Sequence, residues 1–165
     1  MSTVTLDWPR WVHASIHQHF KTRCENYGTM TFPMFIEGQH RGLSAAKDFF
    51  ELRVDGPQLI ELSKNYWLIY VEVNVLIQSV LDDSNNHRML KDCGVVAAAF
   101  DTIQIYKYGN GVNDKPTELF GCLGLRHDRS SRESTYIYNL GQVESNTKLL
   151  QSVVEGHFQM HKETA

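Results

Sequence analysis

The longest unbroken pattern in the chain is an alternation of apolar and mixed side chains from Tyr66 to Gln78. Side chains of a strand point to opposite faces in turn, so this pattern predicts a half-buried strand of thirteen residues, about 43 Å long. A usual strand has only about five to six residues. We therefore expect this strand to need partners at its ends, and a neighbouring subunit is one source of them. Its apolar face consists of Trp67, Ile69, Val71, Val73, Val75 and Ile77.

The second face of the same strand mixes aromatic, aliphatic, amide and acidic side chains. Such a mixture suits a wet or subunit-facing surface and does not suit a closed core. The positions that we predict to form a subunit interface are Tyr66, Leu68, Tyr70, Glu72, Asn74, Leu76 and Gln78.

Two segments carry apolar residues at the three-to-four spacing of an amphipathic helix. The first covers about residues 8–24, with Asp7 as a plausible N-cap and Pro9 in the first turn. The second covers about residues 86–100, and its apolar stripe includes Met89, Cys93 and Val96. We expect both helices to pack against the sheet.

Shorter patterns complete the predicted fold. Residues 29–37 look extended, and Pro33 makes this segment an edge or bulged strand. A strand from Phe50 to Val54 is expected to stop at Gly56-Pro57 and to continue briefly over 58–62, before a turn at 63–65. Further strands are predicted over 103–108, 119–126 and about 149–159, with a frayed tail over 160–165 and polar loops over 38–47, 109–118 and 127–148.

Together these elements predict an α+β fold in a single domain, residues 1–165. A mainly antiparallel sheet would be flanked by two amphipathic helices in a two-layer arrangement.

Composition narrows the possible functions. The apolar fraction of 42% and the charged fraction of 21% are ordinary for a globular protein. The net charge is −3 and the pI about 6.2, so the chain lacks the basic excess that would hold a nucleic-acid backbone. The N-terminal segment MSTVTLDWPR does not resemble a signal peptide. No apolar run approaches the roughly 20 residues of a membrane span, so we expect no membrane contact and synthesis in a cytoplasm.

Few residues suggest chemistry. His13 and His17 are four apart on the first predicted helix, but residue 14 is Ala where a metalloprotease motif needs Glu. The acidic segment from Asp82 to Asn86 lacks the glycine and glutamate of a calcium loop and reads better as a helix cap. Residues 121–125, GCLGL, are too short for a dinucleotide fingerprint. We assign no catalytic, cofactor-binding or metal-binding residue and expect no cofactor.

The three cysteines, Cys24, Cys93 and Cys122, are odd in number and widely spaced. This argues against a disulfide framework or a zinc ribbon. We interpret all three as small buried apolar residues in a reducing compartment.

Several segments resemble the tail-terminator, or tail-completion, proteins of long-tailed bacteriophages. They occur in the same order over most of the chain and consist of secondary-structure patterns without a catalytic signature. The segments are residues 8–15, residues 51–57, the strand from Trp67 to Gln78, residues 98–106 and residues 149–156.

This resemblance implies a non-enzymatic structural protein of the virion tail or neck, assembled in the host cytoplasm. Such proteins form a hexameric ring on the finished tail tube, stop its polymerisation and join it to a head-side stopper or connector. DNA would pass through the lumen without specific binding, which a mildly acidic surface favours.

Three alternatives remain open at this level. The chain could be the tail tube subunit or the head–tail stopper, which the resemblance does not separate from a terminator. It could be a small metal-dependent hydrolase using His13 and His17. It could also be a host-factor binding module with exposed tyrosine and tryptophan, which would be a stable monomer.

Overall fold

The computed structural model describes residues 7–25, 34–36, 48–80, 87–109, 115–126, 135–142 and 149–163. It contains two helices and seven strands, and strands make up 64% of it. The elements are α1 (Trp8–Glu25), β1 (Met34–Ile36), β2 (Phe49–Ser63), β3 (Tyr66–Val80), α2 (His87–Ala99), β4 (Ile103–Tyr108), β5 (Pro116–Leu125), β6 (Thr135–Gln142) and β7 (Leu149–Glu163).

All seven strands belong to one sheet with the order β1-β2-β3-β7-β5-β4, and β6 also pairs with β7. Three antiparallel strands of fifteen residues each, β2, β3 and β7, form its centre. Along its second side, β7 pairs first with β6 through residues 150–156 and then with β5 through Phe158 and Gln159. Among the strands that the structure describes, only β1 runs parallel to its neighbour, β2.

The sheet curls into a half-barrel, and both helices pack against its concave face. Helix α1 contacts strands near the two ends of the sheet. Its Trp11 Nε1–H donates to the Tyr108 carbonyl on β4 at 2.9 Å, and its His13 Nε2 lies 2.9 Å from the Gly56 carbonyl on β2. The predicted two-layer arrangement with flanking helices is therefore wrong. A mostly β, curled sheet wraps around its helices.

Both helices bury the stripes that their sequences predict. In α1, Val12, Ile16 and Phe20 are fully buried, and in α2, Met89 and Val96 are buried. The predicted bounds of 8–24 and 86–100 differ from the observed bounds by one residue at an end, within the usual fraying of helix termini.

Strand β3 confirms the alternation, and it is two residues longer than predicted. The whole apolar row from Ile69 to Ile77 is fully buried. However, β2 pairs with one side of β3 and β7 with the other along almost its full length. The expectation that a neighbouring subunit completes the strand is therefore wrong for its backbone, because this chain supplies both partners.

Four shorter predictions also need correction. Strand β2 does not stop at Gly56-Pro57 but continues through a register shift between Asp55 and Gln58, with Gly56 at φ 102°. Residues 127–148, predicted as loop, contain strand β6. Strand β7 continues to Glu163, so residues 160–163 belong to a strand and not to the predicted frayed tail. Cys122 is exposed, whereas Cys24 and Cys93 are buried as predicted.

The concave face is tightly packed where α2 ends. Phe100 stacks on Phe158 with ring centroids 5.8 Å apart and meets Phe20 edge-on at 5.0 Å. Gly156 lies beneath the Phe100 ring, and a Cβ built there would come within 2.3 Å of a ring carbon. Glycine is required here by close approach of the ring, since any larger residue would have to displace it.

Candidate functional site

The seven predicted interface residues all lie on the convex face of β3, opposite the core and away from both helices. Gln78 is buried at 8% exposure, while Tyr66, at the hairpin end, is 37% exposed. The five residues between them are half-buried. The structure thus brings the set together on one surface, and neighbouring strands extend this surface on both sides.

A hydrogen-bonded group occupies the middle of the convex face. The hydroxyl of Tyr70 donates to Nδ1 of His157, and the two rings stack with centroids 5.8 Å apart. On the other side of the imidazole, Nε2 lies 3.1 Å from Oε1 of Glu155. A neutral His157 with its proton on Nε2 satisfies both contacts, because Nδ1 then accepts and Nε2 donates.

Two further groups complete this arrangement. Glu72, directly opposite His157 in the register, has Oε2 4.0 Å from Nδ1, and its Oε1 accepts a bond from Asn74 Nδ2 at 3.0 Å. The guanidinium of Arg126 lies 5.9 Å from the centre of the Tyr70 ring. Burial, followed by the negative charge of Glu72, raises the pKa of Tyr70. A raised pKa favours the protonated phenol, which is the form that donates to His157.

The convex face carries contacts at its ends as well. Gln151 donates from Nε2 to Oε1 of Gln78 at 2.9 Å, and Tyr66 stacks on His161 with centroids 5.5 Å apart. A shallow depression of about 300 Å³ lies between them, and it is lined by Glu51, Arg53, Asn74, Leu76 and Val153. Paired amides, stacked rings and charges of both signs give a surface that is polar yet ordered.

Strand β6 adds a sheet edge that the sequence patterns did not predict. Its sequence, TYIYNLGQ, contains no charged residue and no proline. Ile137, Tyr138 and Leu140 are 51%, 45% and 56% exposed, and Tyr136 stacks on Tyr138 at 6.0 Å. The signal that could have found it is the run of β-prone residues from Thr135 to Tyr138, which the many polar residues around it obscured.

The edge of the sheet at β4 is closed in a different way. The backbone N–H of Tyr106 donates to Oγ of Ser15 at 2.9 Å, and the carbonyl of Tyr108 accepts from both Trp11 and Arg10. Side chains of α1 thus satisfy outward-pointing groups of β4. Beside this contact lies an open groove of about 430 Å³, and the residues that line it include Gln18, His19, Arg23 and Gln104.

The other candidate residues come together only in part. His13 and His17 have ring centroids 6.1 Å apart, and burial followed by the charge of His13 lowers the pKa of His17 to about 4. Within the part of the chain that the structure describes, no three histidine, cysteine or acidic side chains could hold a metal ion together. The GCLGL segment lies on β5, and residues 82–86 lie outside the described residues.

Comparison with known proteins identifies a fold and leaves function open. No family model matches the chain, and no curated protein does. One solved structure that matches, of a protein whose name describes no activity, has a TM-score of 0.54 at 10% identity and covers 95% of this chain and 96% of its own. At that identity the similarity shows a shared fold over nearly the whole length. Within the described residues, no helix is long and apolar enough to cross a membrane.

Proposed function

We propose that this chain is a structural subunit that assembles into a ring at the end of a long-tailed phage tail tube, stops tube growth and joins the tube to a head-side connector. The observation that carries the proposal is the ordered, half-exposed convex face of β2, β3 and β7, which neither helix covers. The resemblance of the sequence to tail-terminator proteins supplies the particular assembly.

The size of this face is adequate for assembly. Three strands of fifteen residues, spaced about 4.8 Å apart and about 50 Å long, present about 700 Å², and β6 adds about 130 Å². A stable protein interface uses about 800 Å² on each partner. With β6 included, these strands present about 830 Å², which is close to the size of one side of a stable interface.

The chemistry of the face fits contact with protein better than contact with DNA. Carboxylates of Glu72 and Glu155 stand at its centre, and His157 lies between them. A phosphate backbone would meet these negative charges without a basic patch to hold it. The same property suits a passage through which DNA moves without binding.

The functional test is the length of phage tails assembled without this chain. We expect tails of irregular and excessive length that do not join heads, measured by electron microscopy of lysates from a phage lacking the gene. Restoring the gene should restore uniform length. Tails of uniform length in its absence would exclude the terminating role.

A variant can connect this result to the convex face. Leu76→Arg places a charge at the centre of the face, and we expect a folded protein that fails to restore tail length. Leu90→Arg, at a site on α2 that is 60% exposed, is the matched control and should restore it. Equal behaviour of the two variants would remove the convex face from the proposal.

The behaviour of the isolated protein distinguishes a tail tube subunit from a tail terminator. A tube subunit forms long filaments because its contacts repeat along the axis, whereas a terminator ends at a ring. Long tubes in micrographs of the purified chain would favour the tube reading. No observation favours the hydrolase, since the two histidines of α1 gather no third ligand within the described residues.

A further inference from the structure

Within the part of the chain that the structure describes, strand β6 is a sheet edge without the usual protection. Protein sheets guard their edges with lysine, proline, short strands or covering segments, because an open edge can pair with another chain. In this chain β4 is covered by side chains of α1, and β1 has only three residues. By contrast, β6 has eight residues, no charge and three exposed large apolar side chains.

The register of the sheet aligns residues of β6 with residues of β1, the strand at the opposite edge. Reading across the paired strands, Ile36 of β1 is in register with Leu52, then Val75, then Val154, and finally with Ile137 of β6. The next row joins Phe35 to Tyr138 in the same way. The two outer strands therefore lie at the same height on opposite sides of one strip of sheet.

The strand directions are also compatible. Strand β1 runs parallel to β2, and each further step through β3, β7 and β6 is antiparallel. Hence β6 runs opposite to β1. A second copy rotated about an axis along the strands keeps its direction, so its β1 would meet β6 of the first copy as an antiparallel neighbour.

From these three observations we infer that β6 of one copy pairs with β1 of the next copy, so that the sheet continues from subunit to subunit around the ring. Both strands are uncharged, the second being Met34–Ile36, so they meet without charge repulsion. The contact joins two different surfaces of the chain. A contact between different surfaces builds a ring where the rotation between neighbouring copies closes, and the proposed ring is that case.

This inference rests on the proposed ring and names its lateral contact. The convex face then remains for contacts with the other parts of the tail or for the interior of the ring. A self-pairing of two β6 strands, the other way to cover this edge, would join copies in twos and could not build a ring through this contact alone.

Cysteine cross-linking of the assembled protein tests the pairing. We would make Phe35→Cys with Tyr138→Cys, and Phe35→Cys with Tyr136→Cys to allow a shift of two residues, both with the exposed Cys122→Ser. Directly opposed residues of an antiparallel pair are close enough for a disulfide. We expect a ladder of covalent oligomers on a denaturing gel after oxidation, and only monomers from each single-cysteine variant.

The outcomes separate the possible failures. Dimers from Tyr138→Cys alone would show β6 pairing with itself and overturn the inference. An absent ladder from a protein that still assembles and caps tails would overturn the edge pairing and leave the proposed function intact. Uniform tails in the absence of the chain would overturn the proposed function, whatever the gel shows.

A second pair of variants covers the case in which replacement of Phe35 prevents folding. Ile137→Lys with Leu140→Lys charges the open edge, where both side chains are more than half exposed. We expect the protein concentration needed for half-assembly, measured by mass photometry, to rise at least about tenfold. Leu90→Lys with Leu119→Lys, which are 60% and 50% exposed elsewhere, should leave it unchanged. An equal effect of both pairs would overturn the role of β6.

Discussion

The side chains on the two faces of strand β3 make different kinds of contact. On the concave face, the row from Ile69 to Ile77 is fully buried beneath the helices, with no polar group in it. On the convex face, contacts such as Tyr70 with His157 are hydrogen bonds and ring stacks at half-exposed positions. The concave face therefore determines the fold, and the convex face is ordered without being needed to close the core.

The largest expected effect tests this difference directly. Ile77→Ala removes fully buried atoms, and we expect a loss of about 3 kcal/mol in the free energy of unfolding. Leu76→Ala, one residue earlier on the half-buried convex face, should cost less than about 1 kcal/mol. Urea denaturation of the two variants measures both. A comparable loss from Leu76→Ala would mean that the convex face is part of the folding core.

A smaller effect measures how tightly the concave face is packed. Gly156→Ala must displace the Phe100 ring, which Phe20 and Phe158 also contact, so we expect a loss of about 2 kcal/mol. Gly94→Ala is the matched control, since no atom of the described residues lies within 4 Å of its added methyl group. This control should gain about 0.5–1 kcal/mol from better helix propensity. A neutral Gly156→Ala would show that the ring can move freely.

The smallest effect concerns pH and two helix residues on the concave side. Burial lowers the pKa of His17 to about 4 from 6.5, so the folded state binds fewer protons than the unfolded state and stability falls from about pH 6.5 towards 4. Burial raises the pKa of Asp92 to about 6 from 3.8, so over this range the folded state binds more protons than the unfolded state. The contribution of Asp92 to the free energy of unfolding therefore rises as the pH falls from about 6. The two effects partly cancel.

Replacing each residue separates the opposing effects. His17→Asn should reduce the acid loss of stability, and Asp92→Asn should make it steeper while stabilising the protein near pH 7.5. Within the described structure Oδ2 of Asp92 is buried without a hydrogen-bond partner, so the gain comes from removing a poorly solvated charge. Melting temperatures between pH 4 and 7.5 measure both, and parallel curves for the two variants would contradict these assignments.

The sequence predicted the elements with strong periodicity and missed what depends on pairing. The helices and β3 were found because burial of one face imposes a period on the residues. The passage of β2 through Gly56-Pro57 was missed because these residues usually end a strand, whereas pairing with β3 resumes beyond a register shift. The last strand, β7, pairs at the centre of the sheet, and no local pattern encodes that order.

The candidate site was predicted in the same partial way. Alternation along β3 correctly separated the convex residues from the core, because a strand has only two faces. It could not show that Glu155 and His157, more than eighty residues later, would lie beside Tyr70 and Glu72. The edge position of β6 is a property of the assembled sheet, so no run of residues could indicate it.

The attachment of α1 has a consequence for the order of events during synthesis. Trp11 and Arg10 both donate to the backbone carbonyl of Tyr108, which lies 97 and 98 residues further along the chain. At ribosomal rates of about 5–20 residues per second, this helix waits roughly 5–20 s before its docking site exists. Throughout that interval Trp11 lacks its acceptor on β4, so α1 cannot reach its final position before β4 has been synthesised.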